Sequence, residues 1–254
     1  MDEGFTTAHS ILAYVSRISA GVFNGKSCTR LSGGYANFVW RIELAHPYSG
    51  HHTVILKHAK TYAAARTDIY LSVERMLFER EALIAFRSII LASTPDRPAA
   101  TNRGDEIGPN PIIRLPEVFH WDLEQNVLIL EDAGDLPSIK SFLSQEPPGP
   151  ERTKVAEKIG QNLGSFLALL HTIGQSADGK KYTDFFTKHD GARELCVWRT
   201  ASRLKETAGK YGVNDSRIDE IVAYITNETK ESEETFNMGD FWCVCAMLIH
   251  GCIH

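Results

Sequence analysis

The residues of this sequence best suited to chemistry are a lysine, a glutamate, a glycine pair and an aspartate, spread along most of the chain. Lys57 ends a run of strand-forming residues, Thr53-Val54-Ile55-Leu56-Lys57-His58. A cation at a strand end can neutralise phosphate charge. Gly33 and Gly34 stand at the entrance of the preceding strand. Glycines let a backbone approach phosphates closely and offer N–H groups to them. Glu79 lies in a helical pattern and shares a face with Met76, Leu83 and Phe86. A carboxylate on the apolar side of a helix needs a partner, and Lys57 is the natural one. Glu74 and Glu81 point elsewhere and read as solvated. Asp240 follows Gly239 in Asn237-Met238-Gly239-Asp240-Phe241-Trp242. A carboxylate just after a tight turn, between large aromatics, is a candidate general base. Each feature alone also fits an ordinary hairpin, a solvated lysine or a turn aspartate.

The elements that must position these groups follow from hydrophobic period. Ile11, Leu12, Val15, Ile18 and Val22 imply an amphipathic helix over residues 8–24. Phe38, Trp40, Ile42 and Leu44 alternate with Val39, Arg41 and Glu43, which is a strand buried on one face. His46-Pro47-Tyr48-Ser49-Gly50 reads as its turn, so residues 31–58 form a glycine-fronted hairpin. A helix is expected over 69–90 and a long loop over 92–111. Leu115–Trp121 and Asn126–Leu130 make a second strand pair, and Glu131-Asp132-Ala133-Gly134 a link. Residues 1–134 form a first domain and 135–254 a helical second one. The latter opens on a helix carrying Val155, Ile159, Leu163, Phe166, Leu167 and Leu170, with His171 closing the stripe as a packed or hydrogen-bonded core residue.

Composition narrows the function. The chain has 254 residues, 43% apolar and 23% charged, ordinary for a globular protein. A net charge of −5 argues against nonspecific nucleic-acid binding. No apolar run reaches membrane-spanning length. The acidic start Met1-Asp2-Glu3-Gly4 lacks a signal-peptide n-region, so a cytoplasmic location is expected. Five cysteines, three of them crowded at the C-terminus, are not a disulfide framework. Cys243, Cys245, His250, Cys252 and His254 are of metal-ligand type, but their spacing is not that of a zinc site, and no metal residue is assigned.

In order, the stretches LSGGYANFVWRIEL, HTVILKHA, ERMLFEREAL, VLILEDAG, LGSFLALLH and MGDFW resemble the aminoglycoside phosphotransferase and choline kinase-like family. Within it, the likeness is nearest to methylthioribose kinase-like and fungal members. It runs from about Leu31 to Trp242. The resemblance implies an α+β, protein-kinase-like two-lobe fold around an ATP cleft. It would set Gly33, Gly34 and Asn37 over the phosphates, Lys57 on the α- and β-phosphates, and Glu79 against Lys57, with Glu81 as the alternative partner after a register slip. Leu130, Glu131, Asp132 and Ala133 would be the hinge facing adenine. Asp240 would be the catalytic base toward a small hydroxyl-bearing substrate. Phosphoryl transfer is mostly positioning plus charge neutralisation, which suits these residue types.

The likeness has departures. The family's catalytic loop reads His-Gly-Asp and then, after four residues, Asn. Here Met238 takes the histidine position and Cys245 the asparagine position. A cysteine is a poor ligand for Mg²⁺, a hard cation that prefers oxygen. The family's further Mg²⁺-binding aspartate has no counterpart before His254. The expectation is therefore a C-terminally truncated kinase-like chain with impaired phosphotransfer. The alternative is a non-catalytic nucleotide-binding or partner-binding pseudokinase.

Overall fold

The computed structural model describes residues 4–32, 34–92, 113–136, 138–144, 149–213 and 215–231. The protein is α+β. Its described residues fall into two compact units that divide near residue 135, the first built on a sheet and the second on helices. A small antiparallel sheet with a separate helical region is compatible with a protein-kinase-like two-lobe fold.

The first unit opens with α1 (Ala8–Val15), followed by a short 3₁₀ turn at Ile18–Gly21. Thr7 caps α1: its Oγ1 accepts the Ser10 N–H at 3.2 Å, and the Ser10 hydroxyl reaches back to the Thr7 N–H. Residues 8–24 are thus not one helix. Ser19 and Ala20 take positive φ and break it. Then come β1 (Gly25–Arg30), β2 (Phe38–Tyr48), β3 (His51–His58), the short β4 (Tyr62–Ala63) and β5 (Arg66–Tyr70). After them follow α2 (Arg75–Ala92), β6 (Val118–Asp122) and β7 (Val127–Glu131). The long sheet has the order β1-β2-β3-β7-β6, antiparallel throughout. β1, β4 and β5 were not legible as strands, and α2 starts later than residue 69 because β5 occupies residues 66–70.

The alternation along β2 decides its faces. Phe38, Trp40, Ile42 and Leu44 are buried together with Val54, Leu56, Val127 and Ile129 beneath Ile11, Tyr14, Val15 and Phe23. Burying each of these large side chains contributes about 1.5–3 kcal/mol, so α1 is held mainly by this apolar layer. Gly25 lets it settle: a Cβ there would come within 2.7 Å of Ile42 Cγ2 and 2.8 Å of Leu12 Cδ2. The opposite face carries Val39, Arg41, Ile55 and Lys57, plus Leu128 and Leu130, which pack on Met76 of α2. Residues 127–131 are buried throughout because both faces of the central β7 are covered. Ser49 and Gly50, both at positive φ, turn β2 into β3 with Tyr48 opposite His51.

The second unit contains α3 (Ile139–Ser144), α4 (Pro150–Gly174), α5 (Lys180–Phe186), α6 (Asp190–Val197), α7 (Arg203–Lys210) and α8 (Arg217–Glu231). A π-helical turn at Trp198–Ser202 joins α6 to α7 around the buried Ala201. Gly149 and Pro150 start α4, where proline's missing N–H costs nothing. His171 is exposed, not packed in the stripe. No described helix is long and apolar enough to cross a membrane.

Candidate functional site: the open face of the sheet

The open sheet face holds two rows of side chains. Antiparallel pairing sets Val39 beside Lys57 and Lys57 beside Leu128. One step along, it sets Arg41 beside Ile55 and Ile55 beside Leu130. Val39 and Ile55 are half-buried, so a flat apolar shelf lies between two cations, Lys57 and Arg41.

Lys57 is joined to Glu79 of α2 by an ion pair between Nζ and Oε1. Both side chains are half-buried, at 23% and 29% exposure. Glu81 belongs elsewhere: it pairs with Arg80.

Above this row, the loop between β1 and β2 is closed by the Leu31 N–H donating to Val39 O at 2.9 Å. Asn37 closes its far end. The Asn37 Oδ1 accepts from Arg75 Nε at 3.0 Å, and its Nδ2 lies 3.4 Å from Met76 Sδ. The β4–β5 turn supports the same segment: the Ala64 and Ala65 N–H groups donate to Ala36 O and Tyr35 O at 3.2 and 3.1 Å. A Cβ on Gly34 would meet Asn37 O at 3.4 Å and Val39 Cγ2 at 3.5 Å, ordinary contacts. The fold itself therefore does not demand glycine at that position. Gly33 lies outside the described residues.

The segment after β7 is held by side chains from elsewhere in the sheet unit. Leu130 is buried against Met76 and Ala59. Glu131, only 7% exposed, pairs with Arg114 and lies 3.8 Å from Arg87 Nη1 of α2. It also accepts the Glu117 N–H at 3.1 Å. Asp132 Oδ2 stands 2.7 Å from Arg41 Nε, its Oδ1 accepts from Arg41 Nη2 at 3.1 Å, and the Gly134 N–H donates to Oδ1 at 2.9 Å. Arg41 also donates to Gly134 O at 3.0 Å and pairs with Asp135. The Asp135 hydrogen bond and Asp132 raise the Arg41 guanidinium above its ordinary value, against the opposing cost of burial. The Glu131 N–H is spent on Glu117 O at 2.8 Å, so residues 132 and 133 are left to offer a ligand their main chain and the methyl of the exposed Ala133.

Helix α2 links all three parts. Arg75, Glu79, Leu83 and Arg87 follow at four-residue steps and so form one stripe. Its successive turns hold the glycine loop, Lys57, the apolar core and the Glu131 carboxylate. Sequence reasoning found Glu79 and missed Arg75 and Arg87, although their spacing from Glu79 was a usable signal. Arg41 was readable only as one of the residues on the less buried face of β2.

Asp240 and Cys245 lie outside the described residues, as do Cys243, His250, Cys252 and His254. Among the described residues, no three His, Cys, Asp or Glu side chains converge to hold a metal ion.

No protein-family model matches the chain. It is similar to a 4-hydroxytryptamine kinase of Psilocybe cubensis, 31% identical over 240 residues, spanning 93% of this chain and 61% of that protein. A 4-hydroxytryptamine kinase of Psilocybe cyanescens is 30% identical over 242 residues, with the same 93% and 61% spans. The phosphotransferase FrzJ of a Cladobotryum species is 28% identical over 162 residues, which is 63% of this chain and 41% of that one. The chain thus spans about three fifths of the length of the two tryptamine kinases it matches. These relatives support a kinase-like or phosphotransferase-like chain.

Proposed function

We propose that the sheet unit binds ATP and that the chain belongs to an ATP-dependent kinase acting on a hydroxyl of a small molecule, in the aminoglycoside phosphotransferase and choline kinase-like family. The observation that carries the reading is the Lys57–Glu79 ion pair beneath a short loop that contains glycine. In this reading Glu79 holds Lys57 extended, and Lys57 neutralises the α- and β-phosphates. The N–H groups of the loop over Gly33, Gly34 and Asn37 cover the phosphates. The base lies on the Val39–Ile55 shelf and meets the main chain at Asp132 and Ala133. Charge placed in advance against the polyphosphate is what phosphoryl transfer asks of such a lobe.

Asp240 is assigned as the base that accepts the proton of the acceptor hydroxyl. The relatives' names suggest a hydroxylated aromatic amine as the acceptor class. The Mg²⁺ expected in this chemistry would neutralise the transferring phosphate.

Cys245 favours a second reading. It stands where the resembled family carries a metal-binding asparagine, so nucleotide binding without transfer is the alternative. The test is a titration of the chain with ATP by thermal shift, with and without Mg²⁺, followed by an assay for phosphate transfer to hydroxytryptamines. At about a hundred times its dissociation constant, ATP adds roughly 2.7 kcal/mol to the folded state. A melt unmoved by ATP under both conditions rules out the nucleotide site. A shift without transfer supports the second reading.

A further inference from the structure

Arg75 sits at the first residue of α2, and every N–H its guanidinium carries has an oxygen partner. Nε donates to Asn37 Oδ1 at 3.0 Å. Nη1 donates to Leu71 O at 3.0 Å and Ser72 O at 2.7 Å. Nη2 donates to Ala36 O at 3.2 Å and Lys60 O at 3.1 Å. These acceptors come from three places: the end of the glycine loop, the chain leaving β3 just past Lys57, and the turn leading into α2. A planar fork of this kind holds its partners in fixed directions, which a lysine at the same place could not do.

All of these acceptors are neutral, being main-chain carbonyls and one amide oxygen. Among the described residues no carboxylate hydrogen-bonds the guanidinium, although the charge of Glu79 acts on it. Glu79, one turn further along α2, is engaged by Lys57. A cation hydrogen-bonded only to neutral oxygens is not neutralised by an ion pair of its own, and what it holds most directly is the loop. A helix staple alone would need only Leu71 and Ser72. The bonds to Ala36 and Asn37 serve the loop.

We infer that Arg75 is a positioning residue for the glycine loop: its guanidinium fixes the loop's distance from Lys57 and adds a positive charge that favours a nucleotide polyphosphate. The role toward phosphates rests on the nucleotide-binding reading above. The clamp itself does not.

The experiment compares the full chain with Arg75→Gln, which removes charge and fork, and Arg75→Lys, which keeps the charge alone. Amide hydrogen exchange over residues 34–39 is measured first, with β7 as internal reference. Affinities for ATP and for adenosine, which lacks the phosphates, are measured second. Faster exchange at 34–39 in both variants, with β7 unchanged, is expected. ATP binding should weaken about tenfold in Arg75→Gln and less in Arg75→Lys, while adenosine binding stays the same. Should Arg75→Gln not fold, Asn37→Ala removes the loop's side-chain acceptor and leaves the bonds to Ala36 O and to the helix start in place. It should speed loop exchange in the same direction. Unchanged loop exchange overturns the clamp. Equal loss of ATP and adenosine overturns the phosphate role and makes Arg75 a general support. If the unaltered chain binds neither ligand, the nucleotide reading falls and the phosphate role with it, and the exchange data alone decide the clamp.

Discussion

Arg41 Nε and Asp132 Oδ2 stand 2.7 Å apart, and the Asp132 side chain is only 3% exposed. The pair joins β2 to the segment that follows β7 although the residues are far apart in sequence. A carboxylate so buried persists because Oδ1 accepts from Arg41 Nη2 and from the Gly134 N–H, while Oδ2 rests on the charge of Arg41.

Arg41→Met should therefore leave a buried, unpaired charge and destabilise the sheet unit by about 3 kcal/mol. Removing both members in Arg41→Met with Asp132→Asn should recover part of that loss. Urea unfolding of the two variants checks it. A double variant no more stable than the single one would show that the carboxylate is not the source of the cost.

Lys57→Ala should weaken ATP binding by about tenfold to a hundredfold while the melting behaviour without ligand stays close to that of the unaltered chain. The lysine is half-buried and belongs to neither buried apolar cluster. Glu79→Gln should weaken ATP binding less, since Lys57 would remain with a looser anchor. Calorimetric titration of both variants is the measurement, and an unchanged ATP affinity in Lys57→Ala would remove Lys57 from the site.

His58 sets a pH dependence. It is 5% exposed, and burial pulls its pKa from 6.5 down to about 4, against the raising effect of its hydrogen bond to the Gln125 carbonyl. Between those values the unfolded chain binds the proton and the folded chain does not. Stability is therefore full above about pH 6.5 and is lost as the pH falls toward 4, by about 3 kcal/mol in all. Burial lowers His120 in the same direction. Urea midpoints from pH 7.5 to 4.5 should fall more steeply for the unaltered chain than for His58→Gln.

Tyr14 ties α1 to the β6–β7 hairpin. Its hydroxyl donates to Asp122 Oδ2 at 2.8 Å, while Asp122 Oδ1 accepts the Gln125 N–H at 2.9 Å. Burial, with the Asp122 hydrogen bond and charge adding to it, pushes the Tyr14 phenol well above its usual range. Tyr14→Phe keeps the ring and removes the donor, so it should cost about 1–3 kcal/mol. Trimming of α1 by a protease at low denaturant should speed up in step. Unchanged stability would mean that the apolar face of α1 holds it alone.

Hydrophobic period expresses which face of each element is buried. Alternation along residues 38–44 decided which side of β2 is core, because successive side chains of a strand point to opposite faces. The helical stripe through Met76, Glu79 and Leu83 placed the glutamate on the buried side of α2, where a buried carboxylate calls for a cation. The order of the glycine loop, Lys57 and Glu79 carried the likeness to kinases. Which partners meet depends on packing between distant segments. Arg41 carries the same charge as Lys57 and lies on the same face, yet one is committed to Asp132 and the other to Glu79. Glu131 and Asp132 are neighbours in a short link, yet Glu131 turns to Arg114 and Arg87 and Asp132 to Arg41. Arg75 gathers loop, strand exit and helix start through main-chain carbonyls, which are alike at every residue and carry no mark in sequence. Period encodes the face a residue takes, whereas partnership depends on how distant segments cross, and that is settled only when the sheet and its helices have packed.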